Sequence, residues 1–387
     1  MGDGRGGEKN RAQLILVGAL ALAVALVSLA LVLNASIYAE NLATRANQDE
    51  PARISALQQE VATGTAEAMA HHNHDNESHA NYTELETRID ASIREWSALQ
   101  LQDSAREGRF VDADVTSMTR GTRIVQDDGS QFKPEDDGLL DTVVDLVGDS
   151  SWAVTSREYR IRDFRMTVER DEIGGGTTVY TEANVSTFIG KLTTSTSLST
   201  DDPTPYTVVY DMNDDGNYEH AISIYRPDSD PDDVNFTYYN TSTGSTTTCT
   251  LDEAPATFDV DVSGGSVEGT DGACEGVFDF QSETDDPYQL IFVEGEEIEG
   301  DYQLVVDTEK GTFENDYDNG LLSSLTCSLL TCTFEDYYNP HSDDHDSSPS
   351  HTSPYVEPAI YDTDVLVTYQ SERVESSSTI RVAPDEP

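Results

Sequence analysis

Lysine is close to absent. Only Lys9, Lys133, Lys191 and Lys310 occur in 387 residues, and all lysines and arginines together number 22 against 74 acidic residues. The formal net charge of −52 argues against a nucleic-acid partner, because phosphate contacts need clustered basic residues. It also sets the chain against anionic lipid head groups. Such a charge strains a compact state through self-repulsion at low salt. At molar salt the Debye length is about 3 Å, and most of that repulsion is screened. Scarce lysine with abundant acid is the composition of a halophilic protein. Catalytic signatures are lacking too: there is no G-x-S-x-G, no H-E-x-x-H and no phosphate loop. Among 74 carboxylates no pair stands out for acid–base work. The sequence therefore points to a non-enzymatic protein with no obligatory cofactor.

Cysteine is sparse and confined to the last third: Cys249, Cys274, Cys327 and Cys332. Their spacing does not suit a C-x-x-C metal site, and an even number in an exported chain suggests two disulfides. Three connectivities are open. The local pairs Cys249–Cys274 and Cys327–Cys332 are favoured, since each closes a short segment bracketed by strand-like residues.

What is present begins with an uncharged apolar run, Leu14 to Leu33. Twenty helical residues span about 30 Å, one hydrocarbon core. Arg5, Lys9 and Arg11 precede it and Arg45 and Arg53 follow it, a weak positive-inside bias. The expectation is a single-pass membrane protein with a cytoplasmic N-terminus and an extracellular head. Two helices are expected next. The first covers about 51–70, with Asp49 as cap, Pro51 in its first turn, and Ile54, Leu57, Val61 and Ala68 on one face. The second starts at a Thr83/Glu86 capping box. Leu85, Ile89, Ile93, Trp96 and Leu99 mark its apolar stripe, and Gly108 ends it. From Arg109 the signal is β. Short runs such as 110–115, 152–154, 159–168, 207–210, 221–225, 258–262, 288–293, 302–306 and 364–369 are rich in Val, Tyr, Phe and Thr, with turn residues between them. Val365–Tyr369 and Thr379–Val382 read as a closing hairpin. Stretches 194–205, 227–233 and 339–358 read as loops. The fold class expected is α+β: a long N-terminal transmembrane helix, a short helical stalk and a mostly antiparallel all-β head, a sandwich or curved sheet. The divisions are a leader, 1–12; the transmembrane helix and its extension, 13–48; the stalk, 49–108; and the head, 109–387.

Arg11-Ala12-Gln13-Leu14, followed at once by the apolar run, resembles the leader of archaeal type IV pilins and pilin-like proteins. The exit Asn34-Ala-Ser-Ile-Tyr-Ala-Glu-Asn-Leu-Ala-Thr-Arg45 and the later Gly121-Thr-Arg-Ile-Val-Gln-Asp-Asp128 are similar to a group of haloarchaeal single-span surface proteins. The resemblance implies cleavage before Gln13 by a membrane peptidase, with the helix retained. Val17 occupies the position at which many pilins carry Glu, so the resemblance implies a minor pilin or surface-structure component rather than a major subunit. Its partners would be the membrane and pilin-like subunits or other surface proteins.

Further candidate sites come from short patterns. Sequons place glycans at Asn76, Asn81, Asn184, Asn235 and Asn240; Asn34 lies too near the apolar run. Asp211, Asn213, Asp215 and Gly216 match the start of a calcium loop. Ile222 stands where the bidentate Glu would be, and Glu219 is the available substitute. An anchored calcium-dependent adhesin or binding module is therefore the alternative function, with a cell-surface hydrolase as the less favoured third. His71, His72, His74 and His79 form one imidazole cluster, and His341, Asp343, Asp344, His345 and His351 another. Arg157, Arg160, Arg162, Arg165 and Arg170 interleave with Tyr159, Ile161, Phe164, Met166 and Val168. That pattern suits a strand with one basic face, either a contact stripe for an acidic neighbour or a strand cross-bridged to carboxylates within the fold.

Overall fold

The computed structural model describes residues 26–34, 50–74, 81–134, 152–155, 159–174, 205–212, 219–227, 229–240, 242–270, 272–278, 280, 287–319, 338 and 354–384, without the side chains of 127, 128 and 317–319. Among the described residues thirteen strands form two antiparallel sheets. In the seven-stranded sheet the order is β13 (Glu375–Val382), β12 (Tyr355–Gln370), β1 (Phe110–Gln131), β11 (Glu299–Val306), β3 (Ile161–Glu169), β8 (Thr257–Asp261) and β9 (Ser266–Val267). In the six-stranded sheet it is β2 (Trp152–Ala153), β10 (Gln289–Val293), β4 (Tyr206–Asp211), β5 (His220–Tyr225), β6 (Val234–Asn240) and β7 (Ser245–Leu251). One apolar core draws on both sheets. At its centre Phe292 packs edge-on against Tyr206, Tyr302 and Trp152 and stacks on Phe164. Edge-to-face geometry is what the ring quadrupoles favour.

The helices sit on one half of the larger sheet. Helix α1, 50–74, buries Leu57, Val61, Thr65, Met69 and Asn73 at steps of four. Leu57 and Val61 meet Val111, Ala113, Val365 and Val367. Helix α2, Tyr82–Arg106, buries Leu85, Ile89 and Ile93, which join Met69 and Ile360. Trp96 is partly buried beside that first cluster, whereas Leu99 is exposed. The cap of α2 differs from expectation. Asn81 Oδ1 accepts the Glu84 N–H at 3.0 Å, and Glu86 accepts from Arg120 at 2.7 Å instead of closing a capping box. Two shorter helices follow, α3 (Glu275–Phe278) and α4 (Lys310–Asn319).

The expected transmembrane architecture is corrected here. Among the described residues no helix is long and apolar enough to cross a membrane. The described part of the apolar run is helical over 26–34, about 13 Å at 1.5 Å per residue, against the roughly 20 residues that a span needs; residues 14–25 lie outside the described residues. The single-pass localisation, with a cytoplasmic N-terminus and an extracellular head, rested on that span and falls with it. What the structure shows instead is a mostly antiparallel β-sheet fold with some helices.

Several strands exceed the sequence reading. β1 runs to Gln131 rather than 115, because register shifts after Val115 and Thr119 absorb residues that break its alternation. β12 starts at Tyr355, inside the expected loop 339–358. β6 and β7 were not anticipated; β7 is Thr-rich and mostly exposed. The C-terminal hairpin pairs Val365 with Ile380 and Tyr369 with Ser376. Cys249 and Cys274 form a disulfide with a Cα–Cα distance of 5.3 Å. Cys327 and Cys332 lie outside the described residues.

Candidate functional site

Beyond the half that the helices cover, the outer side of the larger sheet carries a cavity of about 420 Å³. His74 borders it from the end of α1, and Arg123, Arg165, Asp259, Asp261, Asp301 and Gln303 line it from the strands. A β-bulge shapes its floor. Gln303 pairs with Arg165 and Val305 with Arg162, so Asp163 and Phe164 together face the single residue Leu304. The extra residue is Asp163, held at φ +52°, a left-handed conformation that few residues other than glycine adopt. Its side chain is fully buried. Bulges re-aim side chains, and this one brings a carboxylate against the end of α1. Gly300, on the adjacent strand at φ +146°, has no room for a Cβ: it would come within 2.0 Å of Thr167 O.

A polar chain links the floor to the sheet. Arg123 and Glu357 form a buried ion pair at 3.1 Å, with side chains 7% and 3% exposed. Arg123 also donates twice to Gln303 Oε1, at 2.7 and 3.2 Å. That fixes the amide orientation, so Gln303 Nε2 is a donor. It lies 2.8 Å from His74 Nε2, which is itself 2.8 Å from Asp163 Oδ2. His74 Nε2 accepts from Gln303 in one tautomer or donates to Asp163 in the other, and cannot do both at once. Arg165 continues the chain, 3.0 Å from Asp163 Oδ1 and 3.7 Å from Asp261. His74 Nε2 is engaged by two sheet residues, so this arrangement locks α1 to the bulge. A buried network of this type specifies one arrangement of its elements.

The predicted site residues are dispersed. Of the arginine stripe, Arg162 lies over the Tyr361 ring at 4.8 Å, and Arg165 is in the network above. The Arg160 N–H donates to Asp307 Oδ1, and Arg170 contacts Asp171, Asp232 and the Ala254 carbonyl. Burial raises the Tyr361 hydroxyl pKa, and Arg162 partly offsets that rise. Burial likewise raises Asp307, against the Arg160 N–H. In the first histidine cluster, His71 is exposed, His72 contacts Ser92 Oγ at 2.8 Å, and His74 joins the bulge. Asp211 is buried, and Glu219 Oε2 accepts the Met212 N–H at 2.7 Å. Among the described residues no group of three or more His, Cys, Asp or Glu side chains is arranged to hold a metal ion. Asn81 caps α2, and Asn235 and Asn240 lie on β6. Arg11, Ala12, Gln13, Asn76, His79, Arg157, Asn184, Asn213, Asp215, His341, Asp343, Asp344, His345 and His351 lie outside the described residues.

Sequence reasoning missed Arg123, Asp163, Gln303 and Glu357. Arg123 lies in the 121–128 stretch, which assigns it no role, and no motif marks the other three, because the four are assembled from four strands far apart in the chain. The one available signal was Asp163, an acid set between Arg162 and Arg165.

A family model described as a family of unknown function (DUF7261) matches residues 8–138, roughly a third of the chain. The match takes in α1, α2 and β1, and so His74 and Arg123, but not Asp163, Gln303 or Glu357. It assigns no activity. No curated protein and no solved structure matches the chain.

Proposed function

We propose that the protein is a non-enzymatic, pilin-like structural component of a cell-surface assembly that works by subunit contact. One observation carries this reading. In the helical stretch 26–34, Leu26, Val27, Leu29, Leu31, Val32 and Leu33 are each 55–66% exposed. A helix that is apolar all round is stable when buried, and a fully buried Leu or Val contributes about 1.5–3 kcal/mol. Pilin-like subunits, a second copy of this chain included, are the occupants the reading commits to. The network joining α1 to the bulge is compatible with it, since it fixes the orientation of α1 on the β head. The disulfide fits an oxidising environment. The charge of −52 makes association depend on molar salt.

The test is sedimentation velocity of the full chain in molar KCl, with cross-linking of intact cells. The wild type should form oligomers. Leu29→Gln with Val32→Gln should give monomers whose β head melts at the wild-type temperature. A monomeric wild type, or a double variant that assembles equally well, would contradict the proposal. The same reading expects a mature chain that begins at Gln13, which N-terminal sequencing of the native protein checks.

A further inference from the structure

Each sheet ends in one long strand and one short one. The larger sheet ends in β13 and β9, the smaller in β7 and β2. β2 and β9 have two residues each, and so short an edge gives another chain little to pair with. β7 and β13 have seven and eight. Both follow their inner neighbour in unbroken register, and neither contains proline or lysine. Among the described residues, no strand and no main-chain hydrogen bond occupies the outer edge of either. Residues 245–248 and Thr250 of β7 are exposed, as are Ser377 and Thr379 of β13. Residues 234–251, the hairpin of β6 and β7, include no acidic or basic side chain, in a chain of net charge −52. On β13 Glu375 and Arg381 cancel. The two edges lie at opposite ends of the paired sheets. Phe292 of β10 packs on Phe164 of β3 and Tyr302 of β11, and Phe236 of β6 packs edge-on against Phe258 of β8. β7, next beyond β6, is therefore at the β8–β9 end. β13 is five strands from β8 in the sheet order, roughly 24 Å at 4.8 Å per strand.

We propose that the β7 edge of one copy of this chain adds to the β13 edge of the next, so that sheets continue from copy to copy. A row of outward N–H and C=O groups is a template for strand addition. Proteins blunt such edges with charge, proline, bulges or short length. β7 has none of these devices, and the two charges of β13 lie near its ends, with Arg381 already paired to Asp362. The occupant follows from charge. Two copies of a chain at −52 repel wherever acidic surfaces meet, whereas β7 against β13 sets no like charges opposite one another. The lengths match, and the Ser and Thr side chains of both strands supply cross-strand hydroxyl pairs. Because the edges are at opposite ends, the contact is head-to-tail. A copy that has received a neighbour on β13 still offers β7, so growth continues unless the rotation closes a ring. A β7–β7 contact would stop at two. The inference rests on the assembly reading. The N-terminal helices bring copies together, and the edges then pair at the effective concentration that this tethering provides. Edge pairing alone is too weak to associate free copies, so the Leu29→Gln, Val32→Gln chain stays monomeric.

The experiment puts photo-reactive p-benzoylphenylalanine in place of Thr379 in the full chain, irradiates it in molar KCl, and maps the cross-linked peptides by mass spectrometry. A cross-link from β13 into the β7 peptide is expected. Within one copy the two strands are too far apart to react, so this product reports two copies. Thr246→Pro and Thr247→Pro are then compared in the same labelled chain. Successive strand residues direct their N–H groups to opposite edges. One proline therefore removes a bond to β6, and the other lies on the outer edge, where proline is tolerated. The variant that melts like the wild type is the one read. It should lose the cross-link by roughly tenfold or more, since proline cannot donate to a ladder on that edge, while still sedimenting as an oligomer through its helices. A monomeric wild type would overturn the assembly reading and this inference with it. An oligomeric wild type that lacks the cross-link, joins β13 to another peptide, or keeps the cross-link undiminished in the folded proline variant would overturn the edge pairing alone.

Discussion

At the scale of single residues, His220 shows how environment sets charge. Its ring stacks on Phe280 at 4.6 Å and lies near-parallel to Tyr238, whose hydroxyl is 2.8 Å from His220 Nδ1. Burial lowers its pKa below the ordinary value of 6.5. The folded state therefore binds fewer protons than the unfolded state in that window. The stabilisation this group contributes is complete above about pH 6.5, and it is lost as the pH falls toward the lowered folded value. His220→Phe keeps a ring on Phe280 and removes the titration. Its melting temperature should fall less than that of the wild type between pH 7 and pH 5; parallel curves would show that His220 is not coupled to folding. Asp163 is the converse case, a residue held at an unfavourable φ because His74 and Arg165 need its carboxylate there. Neither residue was legible in the sequence. His220 falls within the calcium-loop pattern at a position that assigns it no part, and the role of Asp163 depends on a bulge that β11 imposes from some 140 positions away.

At the scale of elements, the decisive joint is between α1 and β12. Asn73 Nδ2 donates to the Ile360 carbonyl and its Oδ1 accepts the Ile360 N–H, both at 2.9 Å. Asn73 thus pairs like a strand residue from the end of a helix. Asn73→Ala leaves both buried main-chain groups without a partner, which costs about 1–3 kcal/mol; urea denaturation in molar salt measures it, and a loss near zero would show that the joint is maintained by apolar contacts alone. The helices themselves were legible. Leu57, Val61, Leu85, Ile89 and Ile93 follow a spacing that only a helix places on one face. The short strands around Phe258 and Tyr302 were legible for the corresponding reason, alternation over a few residues. The extent of β1 and β12 was not, because their register shifts interrupt alternation. β7 was hidden for want of apolar residues: only Cys249 and Leu251 are buried on it. The candidate cavity was legible only in pieces, as His74 in a histidine cluster and Arg165 in an arginine stripe.

At the scale of the whole molecule, the excess of acid governs stability. Glu297 has its pKa raised by burial and then by Glu296 and Glu294, so the folded state binds protons more readily there and gains stability as the pH falls through the raised value. At neutral pH Glu297→Gln should raise the melting temperature in low salt, with the gain shrinking in molar KCl as screening replaces it. A gain independent of salt would assign the effect to packing. The connectivity of the larger sheet has a kinetic consequence as well. β1 pairs Phe110 with Gln370 and Val125 with Tyr355, so the strand that seats α1 and α2 finds its neighbour about 230–260 residues later in the chain. The apolar faces of both helices and of β1 leave the ribosome long before β12 does. High contact order of this kind slows folding and prolongs exposure of unpaired strand edges. The segment that the family match covers is thus synthesised well before β12 and among the last to be completed, and its fate in the cell rests on protection from aggregation until β12 arrives.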